Sequence, residues 1–206
     1  MKKYPVLFNA QMVRAILDGI KTQTRRIVNP QPQMVADHAT QPWVGPPEVL
    51  MKLLDDVGRS CPYGQPDDLL WVRETFRPVD DRKNGGEFWY DYRATPRFEY
   101  SAPAEWENDQ SDPAALKWRP SIHMPRAVSR ILLEIVSIRV ERLRDISEAD
   151  AKAEGTTASI IGSDLDHIKY RAGYQTLWES INGPGSWDVN PFVWVIEFRR
   201  MEPCAN

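Results

Sequence analysis

The sequence predicts an α+β fold, a small and partly open β-barrel carrying helices across its mouth. Two strand signals and a pair of punctuated helices predict it. Ile131 to Leu143 alternates over a long run, and Phe192 to Phe198 is apolar on both faces and so reads as a central strand. Short helices with clear start and stop residues stand after Asn9 and after Ser147. Short strands with a few flanking helices close most economically into such a barrel. At 206 residues, with no internal repeat, the chain is expected to form one domain over 1–206.

Taken in order, Asn9 caps a helix in which Met12, Ile16 and Leu17 fall at apolar helical spacing, and Gly19 stops it. Residues 22–28, Thr22 to Val28, are β-prone and read as a strand ended by Asn29-Pro30. Seven prolines between 30 and 66 exclude a long regular element there, leaving room for a short helix around Glu48 to Val57. Asp68 to Phe76 is a strand. Residues 77–118 read as a second insertion holding one strand, Glu87 to Tyr92. Within Ile131–Leu143 the alternation slips phase near Val136-Ser137, the mark of a β-bulge. Ser147 then caps a helix with Glu148 and Asp150 in its first turn and Gly155 at its end, and 168–181 gives another helix.

Composition narrows the class. With 42% hydrophobic and 27% charged residues the chain is neither disordered nor a membrane protein, and no run approaches the roughly 20 apolar residues of a transmembrane span. Met1 to Pro5 lacks the apolar core of a signal peptide, and Cys61 and Cys204 allow at most one disulfide, so a cytoplasmic location is expected. A net charge of −3 argues against a protein held to nucleic acid mainly by phosphate contacts. Locally, Arg14, Lys21, Arg25 and Arg26 crowd a segment whose one acid is Asp18. Such a patch suits a single nucleotide or a short RNA, and equally reads as a solvated helix end.

The chemistry-bearing residues lie in Gly19-Ile20-Lys21-Thr22-Gln23-Thr24-Arg25-Arg26. A threonine hydroxyl needs an adjacent base to act as nucleophile, and a lysine becomes that base once burial or nearby cations lower its pKa. Arg25 and Arg26 are candidate perturbing cations. A carboxylic acid elsewhere can then protonate a departing amine. Read without further context, Thr22 and Thr24 are strand formers and Lys21 is a surface residue. Trp71, Arg73 and Glu74 on the 68–76 strand offer directional hydrogen bonds for a pyrimidine edge, or only cross-strand pairs. His123, before Met124-Pro125, is a candidate for substrate contact or proton transfer, or simply structural. No His, Cys, Asp or Glu pair has zinc spacing, and neither a phosphate-cradling Gly-rich loop nor a Gly-x-Ser-x-Gly elbow occurs, so no metal and no cofactor is expected. Of the eight tryptophans, Trp178 and Trp194 are better explained as core than as base-stacking platforms.

The run Ile16 to Arg26 resembles the opening signature of the ASCH domain family, part of the PUA-like barrel superfamily. Cys61-Pro62-Tyr63-Gly64 leading into Leu70 to Thr75, Ser121 to Arg126, and Ile181 to Trp187 are similar to segments of the family's larger, phage-borne members. The resemblance implies a PUA-like barrel with two insertions, near 30–66 and 77–118. It also implies an activity. The family includes a small bacterial hydrolase of N4-acetylcytidine whose catalytic set is a lysine, a threonine and a glutamate, and by similarity these fall on Lys21, Thr24 and Glu154, with Arg26 as accompanying arginine. The implied function is hydrolysis of the N4-acyl amide of a modified cytidine, a small-molecule nucleoside or its RNA-borne form, with Arg26, Trp71, Arg73, Glu74 and His123 as substrate-binding candidates. The alternative is an RNA-binding ASCH module, non-catalytic or weakly ribonucleolytic; a phage accessory protein acting through its insertions has no positive support in the sequence. Acyl preference and oligomeric state are not legible.

Overall fold

The two strongest strand signals become the spine of the fold. A computed structural model describes residues 1–36, 39–80, 82, 87–97, 117–159 and 167–202. Its strands are β1 (Lys3–Leu7), β2 (Gln23–Ile27), β3 (Gln33–Ala36), β4 (Ala39–Pro42), β5 (Leu69–Arg73), β6 (Phe76–Asp80), β7 (Phe88–Tyr92), β8 (Leu132–Arg142) and β9 (Phe192–Arg200). Its helices are α1 (Ala10–Leu17), α2 (Pro47–Asp56), α3 (Glu148–Ala153) and α4 (Lys169–Asn182). One five-stranded sheet runs in the order β1-β5-β8-β9-β2, with β3-β4 and β6-β7 as separate hairpins. All pairings are antiparallel except β1 with β5.

β9 is flanked by β8 and β2, and the two sets of its side chains enter different cores. Phe192, Trp194, Ile196 and Phe198 join Val13, Ile16, Leu70, Leu133 and Val140 in one cluster. Val193 and Val195 join Leu143, Ala151, Tyr174 and Trp178 in the other. An apolar strand with both faces covered is what a central position requires. The phase slip is a bulge: β8 changes register against β9 between Ile135 and Ser137, leaving Val136 54% exposed. Asn9 caps α1 by accepting from the Met12 N–H at 2.9 Å, and Ser147 caps α3 through Asp150 N–H at 3.0 Å.

The architecture is α+β, as expected, but the sheet is not closed into a barrel. Its edges are β1 and β2, and what reaches between them is a side chain: Arg26 Nη2 donates to the Leu7 carbonyl at 2.7 Å. The strand expected over 68–76 also divides. β5 ends at Arg73 and β6 starts at Phe76, because the chain at Thr75 and Phe76 leaves β1 and β8 and bonds instead to Arg93 and Arg119. Over residues 30–66 α2 turns Leu50 and Leu54 into the main core, and the β3-β4 hairpin forms among the prolines. Between 76 and 92 β6 pairs with β7; much of 93–118, like Cys204, lies outside the described residues.

Candidate active site

Lys21 sits where α1 gives way to β2. Gly19 takes φ +72°, a left-handed turn open to glycine, and the N–H groups of Ile20 and Lys21 both donate to the Ala15 carbonyl at 2.9 Å. The next residue ties this turn to α3: Thr22 N–H donates to Ala153 O at 2.8 Å. Glu154 is the C-cap of α3, and Gly155 after it has φ +77°. A Cβ at Gly155 would stand 2.8 Å from Ala15 Cβ and 2.9 Å from Lys21 Cβ, so glycine alone lets the end of α3 close onto Lys21.

That closure brings Lys21 and Glu154 together across 133 positions. Lys21 Nζ donates to Glu154 Oε2, to the Glu154 carbonyl and to the Gln23 carbonyl, each at 2.8 Å. All three ammonium protons are engaged, and the Lys21 and Glu154 side chains are 0% and 3% exposed. The other carboxylate oxygen, Oε1, accepts from Arg25 Nη1 at 3.1 Å. Arg25 continues the network to Glu141 and, at 3.5 Å, to Asp150; Gln23 Nε2 donates to Asp150 Oδ1 at 2.9 Å. Arg139 bonds to Glu141 and Asp150 from the outer side.

Burial pushes the Lys21 ammonium below its usual pKa, helped by Arg26 and Arg25 and opposed by Glu154. Burial also pushes on Arg25, but Glu154 and Glu141 outweigh it and hold the guanidinium above its ordinary value. Tyr174 is driven well above a normal phenol by burial, with Glu154 adding to the effect. Asp150 is held low despite burial by hydrogen bonding to Gln23 and Ser147 and by Arg25 and Arg139.

β2 is an edge strand, and its register shows what the free edge offers. Phe198 N–H bonds to Thr22 O and Val28 N–H to Phe192 O, so Thr22, Thr24, Arg26 and Val28 face β9 with their backbone groups. Gln23, Arg25 and Ile27 therefore present N–H and C=O outward. Along this edge lies a cavity of about 70 Å³ lined by Thr24, Arg25, Arg26, Glu154 and Tyr174, with apolar cover from Met12, Leu177 and Ile181. Arg26 also spans Phe8, at 5.4 Å from the ring centroid, and Tyr63, at 5.9 Å.

Of the residues expected from sequence, Lys21 pairs with Glu154, and Glu154, Thr24 and Arg26 line the cavity. Trp71, Arg73, Glu74 and His123 do neither. Trp71 and Arg73 pair with Pro5 and Leu7 on the solvent-facing side of β5, and Arg73 donates to the Ile122 carbonyl. Glu74 is buried, its oxygens taken by Arg130 at 2.9 and 3.0 Å, which is the pairing alternative. His123 is exposed in a short 3-10 turn, Ser121–His123. Sequence reasoning missed Glu141, Asp150 and Tyr174. Asp150 carried a signal, since it stands four before Glu154 and shares its helix face. Glu141 and Tyr174 carried none beyond strand and helix periodicity. Comparison of the chain with family models, with curated proteins and with solved structures returns no match.

Proposed function

We propose that the chain is an ASCH-type amide hydrolase that removes the N4-acyl group of an N4-acylcytidine, giving cytidine and a carboxylic acid. The observation that carries this reading is the buried Lys21–Glu154 pair at 2.8 Å, beside a cavity that Thr24 lines. A buried ammonium with lowered proton affinity, bonded to a carboxylate, has a short route to neutrality: its proton passes to Glu154 Oε2. Lys21 is then an amine able to accept the Thr24 hydroxyl proton, and Glu154 is a carboxylic acid.

Thr24 Oγ1 attacks the acyl carbonyl, forming a C–O bond and an oxyanion. Arg26 and the outward Arg25 N–H are the donors nearest the free edge to stabilise that charge. Collapse breaks the C–N bond as Glu154 gives its proton to N4, and cytidine leaves. The pair is then back in its starting charge state, and the proton passes from Lys21 to Glu154 a second time. Neutral Lys21 takes a proton from water, the hydroxide attacks the acyl-threonine carbonyl, and the C–O bond to Thr24 breaks as Glu154 protonates Oγ1, releasing the carboxylic acid and restoring the ammonium–carboxylate pair. The apolar cover of Met12, Leu177 and Ile181 suits the acyl chain.

Incubation of the pure protein with N4-acetylcytidine, followed by chromatography of released cytidine, tests the proposal. Turnover that Thr24→Ala abolishes is expected. No turnover, with the Thr24→Ala protein indistinguishable, removes the reading and leaves the RNA-binding alternative, for which a gel shift against rising salt is the measurement.

A further inference from the structure

Next to the Thr24–Glu154 cavity lies a larger one, of about 540 Å³, and the two share Arg26, Ile27 and Asn182. The smaller cavity falls below the roughly 300 Å³ of an ordinary ligand site. The larger one has that capacity, and its lining differs in charge. Arg26 and Arg59 both line it, with Ser60, Tyr63 and Asn29, and no described Asp or Glu does. Arg59 spends one N–H on the Pro30 carbonyl. Arg26 spends one on Leu7 O, and its Nε is buried with no hydrogen-bond partner among the described residues. Paired guanidiniums with unspent donors, a hydroxyl and an amide in a cavity free of acids are the chemistry that recognises a phosphoryl group.

We infer that this larger cavity is an anion subsite taking the phosphate of a nucleotide, with Arg59 as its principal partner. That the phosphate belongs to the substrate rests on the hydrolase reading: the acyl group fills the small cavity, and the nucleotide extends across Arg26 into the large one. The preferred substrate is then a phosphorylated N4-acylcytidine rather than the free nucleoside. With a net charge of −3 the chain has no general attraction for anions, so any phosphate preference reports a local site.

Calorimetric titration of the intact protein with cytidine, cytidine 5′-monophosphate and a cytidine-centred trinucleotide tests the subsite without turnover. A charge-assisted contact to phosphate corresponds to roughly tenfold tighter binding of the monophosphate than of cytidine. Arg59→Gln and Ser60→Asp should each erase that preference; the second keeps the Arg59–Pro30 bond and guards against a local folding defect in the first. A trinucleotide tighter than the monophosphate assigns the phosphate to RNA, and the opposite order assigns it to a free nucleotide; either supports the subsite when both variants weaken it. Equal binding of monophosphate and cytidine, or a preference surviving both variants, overturns it. Turnover of N4-acetylcytidine without phosphate preference would defeat this inference and spare the hydrolase. Phosphate preference without turnover would defeat the hydrolase and spare the subsite.

Discussion

Replacing Glu154 by Gln keeps the volume and the hydrogen-bonding shape of the side chain and deletes one charge. In the structure that charge faces two cations, Lys21 Nζ at 2.8 Å and Arg25 Nη1 at 3.1 Å, in a site where neither cation's side chain reaches solvent. Arg25 keeps Glu141 and Asp150 as partners, so its loss is partial. Lys21 keeps only neutral acceptors, the carbonyls of Gln23 and residue 154 and the new amide oxygen, and becomes a buried ammonium with no counter-charge bonded to it. Breaking a buried pair from one side costs about 3 kcal/mol or more, which for a chain of this size lowers Tm by roughly 6–12 °C. Removing the ammonium as well relieves most of that cost, so Lys21→Met/Glu154→Gln should be less destabilised than the sum of its parts by about 2 kcal/mol. Urea unfolding at neutral pH, followed by tryptophan fluorescence, measures all three proteins. Additive effects, or a Glu154→Gln loss under about 1 kcal/mol, would refute the claim that the pair is dry and mutually dependent.

Other consequences follow from the same geometry. Lys21 titrates below 10.5 in the folded chain, so between that lowered value and 10.5 the unfolded state holds the extra proton and stability rises with pH; Lys21→Met should flatten this alkaline slope in pH-dependent urea melts. For the proposed hydrolysis the Lys21–Glu154 pair must hold one shared proton, so kcat/KM should fall as pH rises through the same lowered value, which a pH–rate profile checks. Gly155→Ala should cost about 2 kcal/mol or more in thermal unfolding, because the new Cβ meets Ala15 and Lys21 at under 3.0 Å and the backbone is at φ +77°. The cavity of about 70 Å³ should restrict the acyl group, so hexanoyl turnover should fall well below acetyl, and Leu177→Ala should recover about tenfold of the loss in a competitive assay.

Local signals in the sequence were reliable wherever one element answers for itself. Asn9, Ser147 and Gly155 act at the helix ends where capping chemistry places them, and the broken alternation at Val136-Ser137 is the observed change of register. The two-faced apolar run at 192–198 sits centrally because only a strand covered on both sides tolerates it. What periodicity does not report is which element lies opposite. It cannot tell that Glu74 faces Arg130, that Arg73 turns to Ile122, or that the sheet stops at β2. The ion network around Arg25 draws on β2, β8 and α3, so no single segment carries its signature. The meeting of Lys21 with Glu154 was expected only from resemblance, whereas its physical cause, the glycine that lets α3 close on Lys21, is plain once the helix is in place.

A purely structural account of this corner explains part of it. The free edge of β2 leaves the Gln23 carbonyl in need of a donor away from water, and the C-cap leaves the Glu154 carbonyl in the same position; the Lys21 ammonium meets both needs. Arg25 is likewise served by Glu141 and Asp150. The Glu154 carboxylate is surplus to those requirements. Burying it forfeits solvation that an apolar residue of similar volume would not lose, and such replacements are often neutral or stabilising when the whole pair goes. What the carboxylate adds is a destination for the Lys21 proton 2.8 Å away, in a place where burial has already weakened the ammonium's hold on it. That property contributes little to keeping the fold closed, and it is the one the proposed threonine-dependent acyl transfer uses.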